Sequence, residues 1–276
     1  MLFASTSLAA RIERAECRLL VDGASARERR LPGAGVFTMP LAGGVATFTG
    51  EGSPLNKVAG LGFGGTLDEG ELAAVERAFA QRESPVQCEV SCLGDPAVGA
   101  LLTRRGYTLQ GFENVLGRAL PVEPAAASAG VAVSPSPEGE LREWLDVVVT
   151  GFASPDAQGV ASHESFPREA LEGVMGDLAA ADGFARYLAR RNGAVAGGAS
   201  LRLFEGVAQL CGAATLPEHR RQGVQSALLA ARLEIAGRSG CDVAVVTTQP
   251  GSKSQENVQR QGFELLYTRA VLVRRA

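Results

Sequence analysis

The chain has 276 residues, of which 46% are apolar and 21% charged. That length suits two domains of modest size and that composition a packed core, which excludes an extended disordered chain. A net charge of −3 lacks the basic excess of a nucleic-acid binder, and no apolar run approaches the ~20 residues of a membrane helix.

The five cysteines (Cys17, Cys88, Cys92, Cys211 and Cys241) form no CxxC pair. They read as reduced, buried thiols of a cytoplasmic protein. No metal site is expected, since only His163 and His219 add imidazoles and neither neighbours a cysteine pair. The opening residues mix charge into their apolar positions and do not form a secretory signal.

In chain order, Leu67–Gln81 reads as a helix. From Cys88 follow a β-branched strand, a loop with Gly and Pro, a helix stopped by Gly106, and a long aromatic-containing strand. The stretch Pro121–Pro137, rich in Pro, Ala and Ser, reads as an exposed seam leading into a strand near Val131–Val133. Beyond it, Glu138–Phe152 and Pro167–Ala180 are predicted helices, the first with Leu141, Trp144, Leu145, Val148 and Val149 on one face. Phe184–Ala189, Ala194–Phe204 and Val207–Leu216 are predicted strands, the last two joined by a turn at Glu205-Gly206. A helix over Gly223–Gly237, a buried strand over Asp242–Thr248, a helix over Ser252–Gln261 and an extended segment over Phe263–Val273 complete the chain.

The ends of the two halves repeat. Aligned without gaps, Cys88 faces Ala244, and Arg105-Gly106-Tyr107 faces Gln261-Gly262-Phe263. Strand, loop, helix, glycine stop and long strand recur in order, and each set is preceded by a helix. This spacing suggests two copies of one fold.

The informative segment is Leu210–Leu233. An apolar strand runs to Leu216, Pro217 stops further ladder pairing, and Glu218-His219-Arg220-Arg221-Gln222-Gly223 lead directly into an alanine- and leucine-rich helix. The first amides of a helix have no carbonyl partner within it, and the helix dipole favours an anion there. Gly223 permits close backbone approach, and two arginines add charge. The arrangement suits a pyrophosphate.

This segment resembles motif A of the GNAT N-acetyltransferase superfamily, Gln/Arg-x-x-Gly-x-Gly/Ala. Arg220 and Gly223 match its first two fixed positions, and Gln225 stands where the second Gly or Ala is expected. Asn257 and Gly262-Phe263 resemble the family's closing motif. The resemblance covers about residues 130–276, and the whole chain is similar to tandem-domain members. It implies an α/β fold of two tandem GNAT-like domains, each a mixed, mostly antiparallel sheet flanked by helices. Residues 1–120 would be a degenerate copy without cofactor, 121–130 a linker and 131–276 the acetyl-CoA-binding domain.

The resemblance further implies an acetyl-CoA ligand held by Ala214, Thr215, Leu216, Arg220, Arg221, Gln222, Gly223, Val224, Gln225, Ser226 and Asn257. The reaction would be direct attack of an amine on the thioester, with a small-molecule amine favoured as acceptor. A strand amide would polarise the carbonyl, and an acid would protonate the thiolate. Where many relatives carry an acidic Tyr, this chain has Val258, so Ser254, Tyr267 and water stand as alternatives. For the base, Glu218 and His219 read as solvated turn residues, and His163, Glu164 and Glu205 remain open. The other reading is a CoA-binding sensor or scaffold without catalysis.

In the first half, the stretch Lys57–Asp68 is glycine-rich but has no arginine, and Asp68, Glu69 and Glu71 open the next helix. Acids cap a helix well and repel phosphate. A nucleotide loop at Gly60–Gly65 would instead predict ATP or NAD binding.

Overall fold

The computed structural model describes residues 2–123, 130–154, 160 and 166–275. Among them are seven α-helices and twelve strands. Helix α1 (Thr6–Arg30) begins where the Ser5 hydroxyl accepts from the Leu8 amide and ends on Arg27, Arg29 and Arg30, so cap and charge both suit the helix dipole. Strands β1 (Phe37–Leu41), β2 (Gly44–Phe48) and β3 (Lys57–Ala59) follow, then α2 (Glu69–Ala80), β4 (Val86–Ser91), α3 (Pro96–Arg104) and β5 (Thr108–Ala119). The second half holds β6 (Val131–Pro135), α4 (Leu141–Ala153), α5 (Arg168–Ala179), β7 (Phe184–Arg191), β8 (Ala194–Phe204), β9 (Val207–Gln209) and β10 (Ala214–Thr215). It closes with α6 (Val224–Arg238), β11 (Val243–Thr248), α7 (Lys253–Arg260) and β12 (Glu264–Arg274).

The fold is mixed α/β with a mostly antiparallel sheet. Its strands run β1-β2-β3-β4-β12-β5-β11-β9-β8-β7-β6, with β10 paired to β8. The order carries an exchange. Strand β5 leaves the first half and pairs with β11, from Asn114↔Thr248 to Ala119↔Val243. Strand β12 leaves the second half and pairs with β4, from Arg269↔Ser91 to Arg274↔Val86. The two exchanged strands pair with each other from Thr108↔Val273 to Gly117↔Glu264, which joins the sheets of the halves into one. The sequence repeat is the structural repeat: α2, β4, α3 and β5 correspond to α6, β11, α7 and β12. Gly106 (φ 84°) and Gly262 (φ 81°) take the left-handed conformation that ends α3 and α7 and reverses the chain into the exchanged strands.

Alternation along the strands sorts the helices onto two faces. Leu116, Ala244, Leu228, Leu229, Val258 and Phe263 pack beneath α6 and α7, and Cys88, Val90, Leu102, Val75, Phe79 and Leu272 pack beneath α2 and α3. The opposite face meets α1 through Val115, Val243, Val245 and Tyr267 against Ala9, Ile12 and Ala15. It meets α4 and α5 through Trp144, Val148, Leu188, Val174 and Met175. Trp144 is fully buried and donates Nε1 to Ala199 O at 3.2 Å.

The face under α1 also buries charge. Arg269 is 2% exposed and donates Nε to Glu13 Oε1 at 2.8 Å, and Tyr267 donates its hydroxyl to the same oxygen at 2.7 Å. The Arg269 guanidinium lies 3.7 Å from Glu89 and 3.6 Å from Glu113. Burial works against the charge on Glu89, but Lys57 and Arg269 outweigh it and hold the carboxyl below the usual carboxylate range. These groups come from α1, β3, β4, β5 and β12, so one cation ties both halves together. Replacing Arg269 with Met leaves buried carboxylates uncompensated, at a cost of about 3–5 kcal/mol. Urea unfolding is expected to show that loss, and Glu13→Gln in the same chain is expected to restore part of it.

Candidate functional site

The predicted strand Val207–Leu216 is broken, and the break makes the site. Strand β9 runs parallel to β11 as far as Gln209↔Val245, and Leu210 N donates to Val245 O at 2.9 Å. Gly212 then turns left-handed (φ 47°), and the chain re-pairs only with β8, at Ala214↔Gly198 and Thr215↔Gly197. Strand β11 continues through Val246, Thr247 and Thr248, paired on its other side with β5. The two parallel strands therefore diverge, and a wedge opens between 212–215 and 246–248.

The bend is braced. Cys211 O accepts from Ser200 N at 3.1 Å, Ser200 Oγ at 3.0 Å and Arg232 at 3.3 Å. Arg232 reaches from α6 with its side chain buried, and burial pushes its pKa down to about 10, still cationic at neutral pH.

Past the wedge, Leu216 N donates to Ala196 O, and Pro217–His219 form one 3-10 turn. Arg221 (φ 59°) and Gly223 (φ 79°) are both left-handed, and α6 starts at Val224. Ser5, Asp68, Asp95 and Ser252 cap α1, α2, α3 and α7 with side-chain oxygens, whereas α4, α5 and α6 begin without a side-chain cap, α6 at a glycine. In the first half, Asp68 accepts from Gly70 N at 2.8 Å and Glu71 N at 3.0 Å, so a carboxylate of the chain itself occupies the anion position of α2. The connection is also shorter there, nine residues (60–68) between β3 and α2 against fourteen (210–223) between β9 and α6.

The glycines of the first half serve close packing. A Cβ on Gly60 would stand 2.3 Å from Cys17 Sγ, and one on Gly62 2.7 Å from Asp95 N. Helix α1 lies directly on the end of β3, where Cys17 donates to Ala59 O.

The predicted cofactor residues Ala214, Thr215, Leu216, Arg220, Arg221, Gln222, Gly223, Val224, Gln225 and Ser226 run from β10 through the turn into the start of α6, with Val224 buried in the core. Arg220 donates its guanidinium to Ser154 O and ties the turn to the end of α4. Arg221 is exposed, and Gln222 bonds back to Glu218 O. Asn257 Nδ2 donates to Gln225 Oε1 at 2.6 Å, so the residue departing from the family signature holds the closing-motif residue, and with it α7 against α6.

The proposed acids and bases fare differently. Val258 is 5% exposed and packs in the core with Phe263. Ser254 is exposed on α7. Tyr267 is a correction: it lies buried under α1 with its hydroxyl committed to Glu13, and burial, together with that carboxylate, pushes its pKa well above the usual range. A phenol so held is a poor proton donor. Glu205 sits at the β8–β9 turn in a bond to Arg14, at the end of β9 away from the wedge. Glu218 is exposed, and His219 buries an unpartnered Nδ1. His163 and Glu164 lie outside the described residues. Among the described residues no group of acids, cysteines and histidines could hold a metal. The Cys211 thiol is pushed up to about 12, by burial first and then by Glu16, and is no nucleophile.

Sequence reasoning missed Glu16. Its carboxylate, on α1, accepts from Gln209 Nε2 at 3.4 Å, beside the last paired residue before the wedge. The residue is partly exposed, unlike its fully buried neighbours Glu13 and Glu89. Burial raises its pKa against the opposing pull of Arg269 and Lys57. Nothing local in the sequence marks it, since Gln209 lies 193 residues away.

Parallel strands thus diverge beside a helix led by a glycine, and known proteins share this fold. Residues 153–263 match the family model described as the acetyltransferase (GNAT) family. A GCN5-related N-acetyltransferase from Kribbella flavida superimposes with a TM-score of 0.69 at 21% identity, over 97% of this chain and 96% of that one. A tandem GNAT protein from the clavulanic acid biosynthesis pathway, solved without acetyl-CoA, gives 0.61 at 15% identity over 99% and 96%. A GCN5-related N-acetyltransferase from Sphaerobacter thermophilus gives 0.55 at 16% identity over 74% and 66%. No curated protein matches the chain. Residues 153–263 thus carry the similarity to the acetyltransferase (GNAT) family, and over its whole length the chain shares its fold with a tandem GNAT protein.

The Gln225–Asn257 bond is open to a direct check. Gln225→Ala, Asn257→Ala and the double variant form a cycle in which the coupling is expected at about 0.5–1.5 kcal/mol by thermal unfolding. Strict additivity would mean that the bond does not tie α6 to α7.

Proposed function

We propose that the chain is an acetyl-CoA-dependent N-acetyltransferase whose donor site lies wholly in residues 131–276, with 1–120 a copy that holds no cofactor. One contrast carries this reading: α6 opens at the wedge with Gly223 and no side-chain cap, whereas Asp68 fills the equivalent position of α2. The amides of residues 221–226 and the α6 dipole suit the pyrophosphate. The open strand edge at Ala213–Leu216 offers backbone partners to the pantetheine arm. Leu210 N points at β11 and Cys211 O at β8, so alternation aims the Gly212 amide into the wedge, where it would polarise the thioester carbonyl. The acceptor is a small-molecule amine.

A second reading, a CoA-binding sensor without catalysis, draws on the buried Val258 and the committed Tyr267, which leave no family-type acid among the described residues.

Calorimetry is expected to give one acetyl-CoA per chain at micromolar Kd, about −8 kcal/mol, and no binding for folded Gly223→Glu. Wild-type-like affinity in that variant, or two sites per chain, would sink the assignment. Thiol release with an amine panel separates the two readings: binding without release under any amine favours the sensor.

A further inference from the structure

The acetyltransferase reading leaves the acceptor side undefined, and the inference drawn here rests on that reading. Next to the wedge, the face covered by α1 is rich in charge. Its charged groups come from every element around it. Helix α1 supplies Glu13 and Glu16, β3 supplies Lys57, β4 supplies Glu89, β5 supplies Glu113 and β12 supplies Arg269. Arg202 of β8 is paired with Asp22 and cancels it. Cys17 and Cys211 also lie close to Glu16, both pushed up to about 12 by burial and therefore neutral.

Four carboxylates thus meet two cations. Lys57 and Arg269 are taken by Glu89 and Glu13, with Glu113 sharing Arg269. Among the described residues, Glu16 makes no ion pair; its hydrogen-bond partner is the neutral amide of Gln209. The residue is also partly exposed. One oxygen of the fully buried Glu13 has no hydrogen-bond partner. A partly exposed carboxylate that Arg269 and Lys57 reach only at a distance, beside the strand that opens at the wedge, can take a cationic partner.

We infer that Glu16, lent by the otherwise cofactor-free first half, binds the acceptor as a primary ammonium ion and takes its proton. The balance is simple. R–NH3+ gives one proton to the Glu16 carboxylate. The free amine forms the C–N bond to the thioester carbon. The C–S bond breaks, the coenzyme A thiolate takes the second nitrogen proton, and Glu16 returns its own to solvent. The substrate class is a cationic primary amine. The raised pKa of Glu16 narrows the gap to an ammonium donor.

The test uses the full chain as wild type, Glu16→Gln and Glu16→Asp, with methylammonium, n-butylammonium and phenethylammonium as probes. Acetyl-CoA affinity is expected to stay within about twofold across the three proteins, while kcat/KM for amine acetylation falls about 100-fold or more in Glu16→Gln, with its acid limb lost. Glu16→Asp is expected to keep the limb. Equal rates and profiles in wild type and Glu16→Gln overturn the inference.

A binding arm without acetyl-CoA decides the matter even if no probe is acetylated. The ammonium probes are expected to raise the thermal midpoint of wild type over equal sodium chloride and to leave Glu16→Gln unmoved. No such difference overturns the inference, whereas failure of acetyl-CoA to bind wild type overturns the acetyltransferase reading instead.

Stability adds a third readout. A carboxyl with a raised folded pKa prefers to be protonated in the folded chain, so wild type loses stability as pH rises through that value. Glu16→Gln is expected to be the more stable at neutral pH, with the advantage vanishing below the ordinary carboxylate pKa. An advantage independent of pH counts against an ionised Glu16.

Discussion

The pairing of β5 with β12 is the constraint on which the rest depends. Each is the last strand of its own half, and each lies in the sheet beside the other half's strands. The exchange makes one twelve-stranded sheet from two repeats and sets β4 and β11 antiparallel to each other on either side of the centre. A single-domain version would leave β4 and β11 with open edges, which strand pairing here closes. The second half also depends on the first for the placement of α7, because Asn114 of β5 donates to Gln255 at 3.3 Å.

The two halves then diverge by a few local choices. Both place a helix after a parallel strand. In the first, Asp68 neutralises the start of that helix and α1 packs onto the strand end through Cys17 and Gly60. In the second, five more connecting residues and a left-handed Gly212 separate the strand from the helix, and the N-cap is a glycine with no side chain to cap it. The halves differ in whether a side chain of the chain itself caps that helix.

The charge under α1 belongs to the same logic. Burying Arg269 with several carboxylates costs desolvation that apolar packing would avoid. A structure that needed only cohesion between halves would gain more from Leu or Met there. The network holds α1 in place with Glu16 beside Gln209, so the first half sets charged groups next to the wedge of the second. The cost is spread over groups paired across both halves.

Composition, periodicity and punctuation determined most of the elements of the second half, the repeat at Cys88 and Ala244, and the turn Arg220–Gly223 leading into α6. These are local signals: a period of 3.6 or 2, a glycine stop, a proline that cannot pair. They also marked Asp68 as a cap hostile to phosphate. Only the tertiary structure decided that the last strands are exchanged, because one extended segment pairs as readily with one neighbour as with another until the whole sheet is assembled. The same holds for the side chains whose partners are far away in sequence. Tyr267 reads as a rim residue on its strand until Glu13 arrives from α1, 254 residues away. Gln225 reads as a departure until Asn257 donates to it across 32 residues. Glu16 has no meaning in a helix of ordinary charge pattern, and acquires one when packing sets it against Gln209 and removes water from around it.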